Sequence, residues 1–372
     1  MEKQTLKPKA RESSLELFRI ITMLVIVAHH YVVNSGISSQ MITAANATDL
    51  NSLFCLLFGW GGKTGINCFL LITGYFMCRS NITLKKFLKL FLSISFYNVV
   101  IYFVFFIGGY SDFSAKELLL RIIPLNGIGE SFFSTFLVFY LFIPFLNILI
   151  KGMNERQHLS LIGICLLFFS VVQTLLKVAN GVRYIGWFMV LYFIASYFRI
   201  YPKPIFSKTS VWGIATVISL LLSWGSVVVG AYTFKNTGTP MQYFYVSDSN
   251  KILALVTAVS AFLFFKNLKM KYIPVINVVA SSAFGVLMIH ANSNNMRKWL
   301  WSDTLKNTQM FSSDKLIVHA VVSVLGVYVV CTVIDLLRIY LLEKPFFKLY
   351  DKWDVENKIK RIFISSKTET NQ

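Results

Sequence analysis

The chain has 372 residues, of which 55% are hydrophobic and only 14% charged, where a soluble domain carries about 25% charged residues. Lys and Arg number 36 against 17 Asp and Glu, a formal charge of +19, and mean hydropathy is +0.61. So few charges cannot cover a soluble surface. The composition therefore excludes disorder, a collagen-like chain and a disulfide scaffold, argues against a soluble enzyme, and predicts an all-α, polytopic transmembrane helix bundle.

A helix needs about 20 apolar residues to cross a bilayer core. By that measure ten spans are expected, at 15–34, 54–78, 88–108, 131–150, 158–178, 184–199, 210–231, 251–265, 276–292 and 316–342. Two of them, 184–199 and 251–265, are short. The second is interrupted by Gly59-Trp60-Gly61-Gly62-Lys63, which suggests a short interfacial helix followed by a span from Thr64. A basic stretch before the first apolar run also describes a signal peptide, and Gly36-Ile37-Ser38 offers a small-x-small site. The length of the run and its Arg19, His29 and His30 favour a permanent helix.

With the N-terminus placed inside, 24 of the 36 Lys and Arg fall on the inner side and 11 on the outer, with Arg19 inside the first span. Basic residues collect in cytoplasmic loops, so both termini are expected in the cytoplasm. The loops are too short to hold a soluble domain. A single membrane domain over 1–347 and a basic cytoplasmic tail over 348–372 are predicted, the tail suited to an anionic inner leaflet. No basic stripe stands apart from the apolar segments, so no nucleic-acid partner is expected. Cys55, Cys68, Cys78, Cys165 and Cys331 lie in apolar stretches without metal-ligand spacing; free thiols and no metal site are expected.

Ionisable groups inside a span are costly, and their default reading is functional. Arg19, His30, His290 and Asp335 stand out. Arg19 and His30 are eleven residues apart, close to three turns and about 16 Å, so they share a helix face; His29 points about 100° away. His30 and His290 lie about 22 Å and 20 Å from the inner ends of their spans, so they can meet at one depth. A structural account competes with each: a snorkelling Arg, a His bonded to a neighbour. Asp335 falls near the depth of Arg19, so an Arg19–Asp335 or an Arg19–Glu16 pair is plausible. His158 and His319 lie near span ends and read as interfacial. Gly62-Lys63-Thr64 matches the end of a phosphate loop, but Leu57 stands at its first Gly and no βα unit surrounds it, so that reading is rejected.

With these residues in view, the chain resembles the acyltransferase-3 family of membrane acyltransferases. Glu16-Leu17-Phe18-Arg19 with His30 is similar to that family's first-helix motif, an Arg, ten residues, then a His. Gly65–Phe76 resembles its second-helix pattern, with Thr73 where Ser is usual. Phe136–Asn147 resembles a Tyr…Pro-Phe-Leu-Asn segment of one branch, without the Trp that often precedes it. Gly186-Trp187-Phe188 with Tyr192, and Phe284–His290, resemble two later segments. The resemblance runs from about residue 13 to 347. It implies about ten helices, an acyl-CoA donor from the cytoplasm and transfer to a hydroxyl.

The function expected is therefore O-acyl transfer, acetyl first, from acetyl-CoA or another acyl-CoA to a surface glycan or lipid-linked sugar at the bacterial cytoplasmic membrane. His30 would be general base or acyl carrier, with Arg19 and His290 in the catalytic group. Arg19, Arg79, Lys85 and Lys86 would hold the CoA phosphates, with Lys89 an ordinary inner-side charge; Asn67, Tyr75, Trp187 and Tyr192 would line the acyl channel or merely pack. No permanently bound cofactor is implied. The competing expectation is a glycan or lipid transporter or flippase, since intramembrane Arg and His also serve proton-coupled transport. The lack of an internal repeat weighs against it.

Overall fold

The structure is a computed structural model and describes residues 12–129, 131–176, 184–354 and 356. The basic residues before Glu12, Lys177, Arg183 and the tail from 357 lie outside them. Among the described residues all regular structure is helical, apart from an isolated bridge between Ile128 and Ser131. In chain order the helices are α1 (Ser13–Val33), α2 (Leu50–Gly59), α3 (Gly62–Met77), α4 (Leu84–Ile107), α5 (Ala115–Ile122) and α6 (Phe132–Gly152). Then come α7 (Glu155–Leu166), α8 (Val172–Leu175), α9 (Tyr184–Ile200), α10 (Thr209–Thr237) and α11 (Ile252–Asn267). The last are α12 (Pro274–Ser281), α13 (Ala283–His290), α14 (Asn294–Lys298), α15 (Asn307–Met310), α16 (Leu316–Arg338) and α17 (Lys344–Lys352).

Among the described residues every apolar segment marked in the sequence is largely helical; Lys177 and Val178 of the fifth lie outside them. Seven stretches are long and apolar enough to cross a bilayer; α9 and α11 are shorter, and α12–α13 form one arm of a bent pair. The chain is a multi-pass membrane protein. Its lipid-facing surface is visible on α16, where Val318, Val322, Leu325, Val329 and Val333 are all at least half exposed and recur at helical spacing. A water-soluble monomer rarely leaves so continuous an apolar stripe uncovered. At 17 and 16 residues, α9 and α11 are about 25 Å long. Most of their side chains are buried among other helices, so they are enclosed by protein rather than matched to lipid.

Lipid offers no hydrophobic drive between helices, so close packing and polar contacts join them. Helix α10 runs along α11, tied by Ser219–Ser260 and Ser223–Thr257 hydroxyl contacts, each 3.1 Å. Helices α1 and α3 meet through glycines. A Cβ at Gly61 would overlap Val25, one at Gly62 the His29 ring, and one at Gly65 the Ile26 side chain. The Gly-Gly-Lys break in the second apolar segment thus lets two helices touch. The helix before it begins at Leu50, and the turn at Trp60-Gly61 separates α2 from α3 without a sharp bend.

Two apolar clusters fill the bundle. One lies among α1, α2, α4, α13 and α16, around Tyr31, Val286 and Trp301. The other lies among α3, α6, α9 and α11 and the inner part of α1, around Phe139, Trp187 and Phe262. Phe132 and Phe284 pack against both.

The structure adds detail at four places in the sequence reading. His158, in the first turn of α7, is fully buried by protein: its Nε2 is 3.0 Å from the Phe193 carbonyl, and the Tyr197 and Tyr201 rings pack against it. His319 pairs with the Tyr31 hydroxyl at 2.8 Å. The stretch after His290, read as a loop, turns through 97° into α14 and α15, and the fully buried Trp301 between them in sequence packs against Tyr31 and His290. The expected boundary at 348 falls inside α17, whose Asp351 is 2.6 Å from Lys85 at the start of α4.

Candidate active site

The polar centre forms where α1 meets α13. Three turns of apolar helix carry the stripe Arg19, Met23, Ile26, His30 along one face of α1. His30 Nδ1 stands 2.9 Å from Nε2 of His290, 260 residues later. His290 is fully buried, and its Nδ1 stands 2.6 Å from the Val286 carbonyl one turn back.

This chain of contacts fixes the tautomers. A carbonyl oxygen only accepts, so Nδ1 of His290 carries a hydrogen and its Nε2 offers a lone pair. His30 must then donate from Nδ1, which leaves His30 Nε2 as a lone pair. If that nitrogen takes a proton, the positive charge is met by the His290 lone pair through a bond already formed. His29 repeats the pattern: Nδ1 is 2.6 Å from the Gly59 carbonyl.

Both His29 and His30 face a cavity of about 1000 Å³. One end of it is apolar, lined by Met23, Ile26, Ile66, Phe69, Phe132 and Leu287. The lining also holds the amides Asn34, Asn126, Asn292 and Asn295 and the charged Lys63, Glu117, Arg121 and Arg297, with Val33 and Phe133 among them. Lys63 donates to the Tyr184 hydroxyl at 2.6 Å and has Asp248 at 3.6 Å; Arg121 pairs with Glu117 at 2.8 Å. The histidines mark the border between the apolar end and the polar mouth.

Of the residues singled out in the sequence, His30 and His290 are brought together. Arg19 is not part of the cavity wall. It lies at the inner end of α1, 3.2 Å from Glu16, while Met23, one turn on, opens the apolar end. Of the two partners considered for Arg19, Glu16 is the one found. Asp335 is taken by the Tyr97 hydroxyl at 2.7 Å and by Arg338 at 2.9 Å.

Arg79, Lys85 and Lys86 lie at the inner ends of α3 and α4, away from the cavity. Arg79 donates to the Arg199 carbonyl at 3.2 Å, Lys86 to Ser80 and to the Asn81 carbonyl at 2.7 Å, and Lys85 pairs with Asp351. The four residues expected to line a channel do not line the cavity; their polar atoms are spent on joining helices. Trp187 Nε1 donates to Asn67 at 2.9 Å, and Asn67 donates to the Ser249 carbonyl at 2.7 Å. Tyr192 donates to Asn147 at 2.6 Å, and Arg199 donates to Tyr75 at 2.8 Å.

Lys63, Arg297 and the Asn292-Ser293-Asn294-Asn295 run were not singled out as site residues. In sequence they resemble ordinary loop residues beyond a span; only the 97° turn brings the run back over the histidines.

The fold is that of a multi-pass membrane protein, an all-helical bundle among the described residues, with two hydrogen-bonded histidines at the wall of a large, partly open cavity. A family model described as an acyltransferase domain, that of the acyltransferase-3 family, matches residues 12–336, and the chain belongs to this family of membrane acyltransferases. Comparisons with curated proteins and with solved structures gave no match.

Proposed function

We propose that the protein moves an acyl group, acetyl first, from acyl-CoA to a hydroxyl of a surface glycan or lipid-linked sugar at the bacterial cytoplasmic membrane. The observation that carries this reading is the histidine relay at the border of the cavity. A hydroxyl is a weak nucleophile until a base removes its proton, and His30 Nε2 is a lone pair held in place by His290.

In the proposed step the acceptor oxygen loses its proton to His30 and attacks the thioester carbonyl. The C–O bond forms, the C–S bond breaks, and the departing CoA sulfur takes the proton back from His30. His290 positions the His30 ring and meets its transient charge. The apolar end of the cavity suits the acyl group and pantetheine arm, and the amide-rich mouth suits a sugar.

Arg19 would contact the donor phosphates at the inner end, since its stripe on α1 leads through Met23 to His30. Arg79 and Lys86 are suited to assist because their observed acceptors are neutral oxygens. Lys85 would have to leave Asp351 to do so.

The test uses purified protein, labelled acetyl-CoA and a surface-glycan extract. Folded His30→Ala should transfer label about 10²–10⁴-fold more slowly than the native chain. Equal transfer by both would remove His30 from the chemistry. Arg19→Ala should raise KM for acetyl-CoA more than KM for the acceptor.

A further inference from the structure

The cavity wall carries three cations, Lys63, Arg121 and Arg297, against one carboxylate, Glu117. Arg121 is matched by Glu117, and Lys63 has Asp248 nearby, itself about half exposed. Arg297 is different: among the described residues no carboxylate pairs with it. Its guanidinium donates to the Ala291 carbonyl at 3.1 Å and toward Asn294 at 3.4 Å, and its Nε is buried without a partner. Ala291 directly follows His290, so the turn beyond α13 docks a cation one residue from the histidine relay.

A half-buried cation whose Nε has no partner favours an anion in the cavity beside it. A guanidinium offers a planar fork that fits a carboxylate or a phosphate. The amides Asn34, Asn126, Asn292 and Asn295 line the same cavity and suit a hydroxyl-rich ligand. On the orientation given by the Lys and Arg distribution, this wall faces away from the cytosol, where CoA resides. The anion therefore belongs to the acceptor and not to the donor.

We propose that Arg297 forms an anion subsite beside the histidine pair, and that the acceptor is an anionic glycan carrying a carboxylate or phosphate that Arg297 holds while a neighbouring hydroxyl faces His30. This rests on the acyl-transfer function proposed above and narrows its substrate class.

The test compares three acceptors: a neutral glucan tetrasaccharide, the same chain with one C6 carboxylate, and the same chain with one 6-phosphate. The native protein should show a KM at least about tenfold lower for the charged acceptors, a preference that weakens as salt is raised. Arg297→Gln should erase the preference by raising KM for the charged acceptors alone, and Arg297→Lys should keep part of it. Equal KM values for neutral and charged acceptors in the native protein would overturn the proposal. So would an Arg297→Gln variant that raises KM for acetyl-CoA and leaves acceptor preference intact, since the cation would then serve the donor phosphates. If the native protein transfers to none of the three, label transfer to the surface-glycan extract decides the acyl-transfer function, and direct binding of the tetrasaccharides decides the subsite separately. Tighter binding of the charged chains, weakened by salt and lost in Arg297→Gln, would support the subsite; equal binding would overturn it.

Discussion

The chemistry at the single-residue scale depends on one asymmetry: His290 is bonded through both ring nitrogens, whereas His30 uses one of them on His290 and has the other left for a substrate. His290 then acts through His30 and is a positioning residue. His290→Ala should lower kcat by about 10²-fold, the lower range for a general base, with little change in KM. Unchanged kcat in steady-state transfer assays would show that the relay is only packing. Asn67 offers the opposite case. Its amide links Trp187 to the Ser249 carbonyl away from the cavity, so Asn67→Ala should cost about 1–3 kcal/mol by leaving buried partners unmet. Thermal unfolding should register that loss while kcat of the folded fraction holds; a normal melting temperature with a raised KM would return Asn67 to a substrate channel.

Individual helices matter here through where they touch. Helix α13 reaches α16 at Gly285, where an added Cβ would overlap the Asp335 carboxylate. That carboxylate is held by Tyr97 and Arg338, so it cannot easily give way. Gly285→Ala should push α13 off α16, destabilise the fold by about 1–3 kcal/mol as overpacking does, and draw His290 away from His30. Gly326 on α16 has open space around it, and Gly326→Ala serves as the control. If both variants melt and turn over alike, the α13–α16 contact does not position the site. These contacts explain why sequence reasoning found the helices but left open whether several residues line a channel or pack. The pattern of apolar residues shows that Asn67, Trp187, Tyr192 and Tyr75 lie inside spans. It does not show whether each faces a cavity or a neighbouring helix, because that depends on how each helix is rotated in the bundle. The nearness of His158 to a span end likewise says nothing of the aromatic rings packed over it.

At the scale of the whole molecule, orientation rests on the charge distribution, and the placement of the anion subsite depends on it. In a background without the native cysteines, Ser313→Cys should react with a membrane-impermeant maleimide in intact cells, and Ser207→Cys should react only after permeabilisation. The reverse pattern would turn the molecule over and put the polar mouth in the cytosol.

The sequence by itself determined the class: 55% hydrophobic residues with 14% charged can only be accommodated in lipid, and apolar runs of bilayer length can only be helices there. It also determined that Arg19 and His30 share a stripe and that His30 and His290 reach similar depth, since a rise per residue and a turn angle suffice for both. Tertiary structure alone decided that the two histidines touch, which nitrogen of each is used, and that a bend of 97° carries Arg297 back to the cavity wall. Those are contacts between segments far apart in the chain or separated by a sharp turn, and they are set by side-chain packing that no single helix encodes.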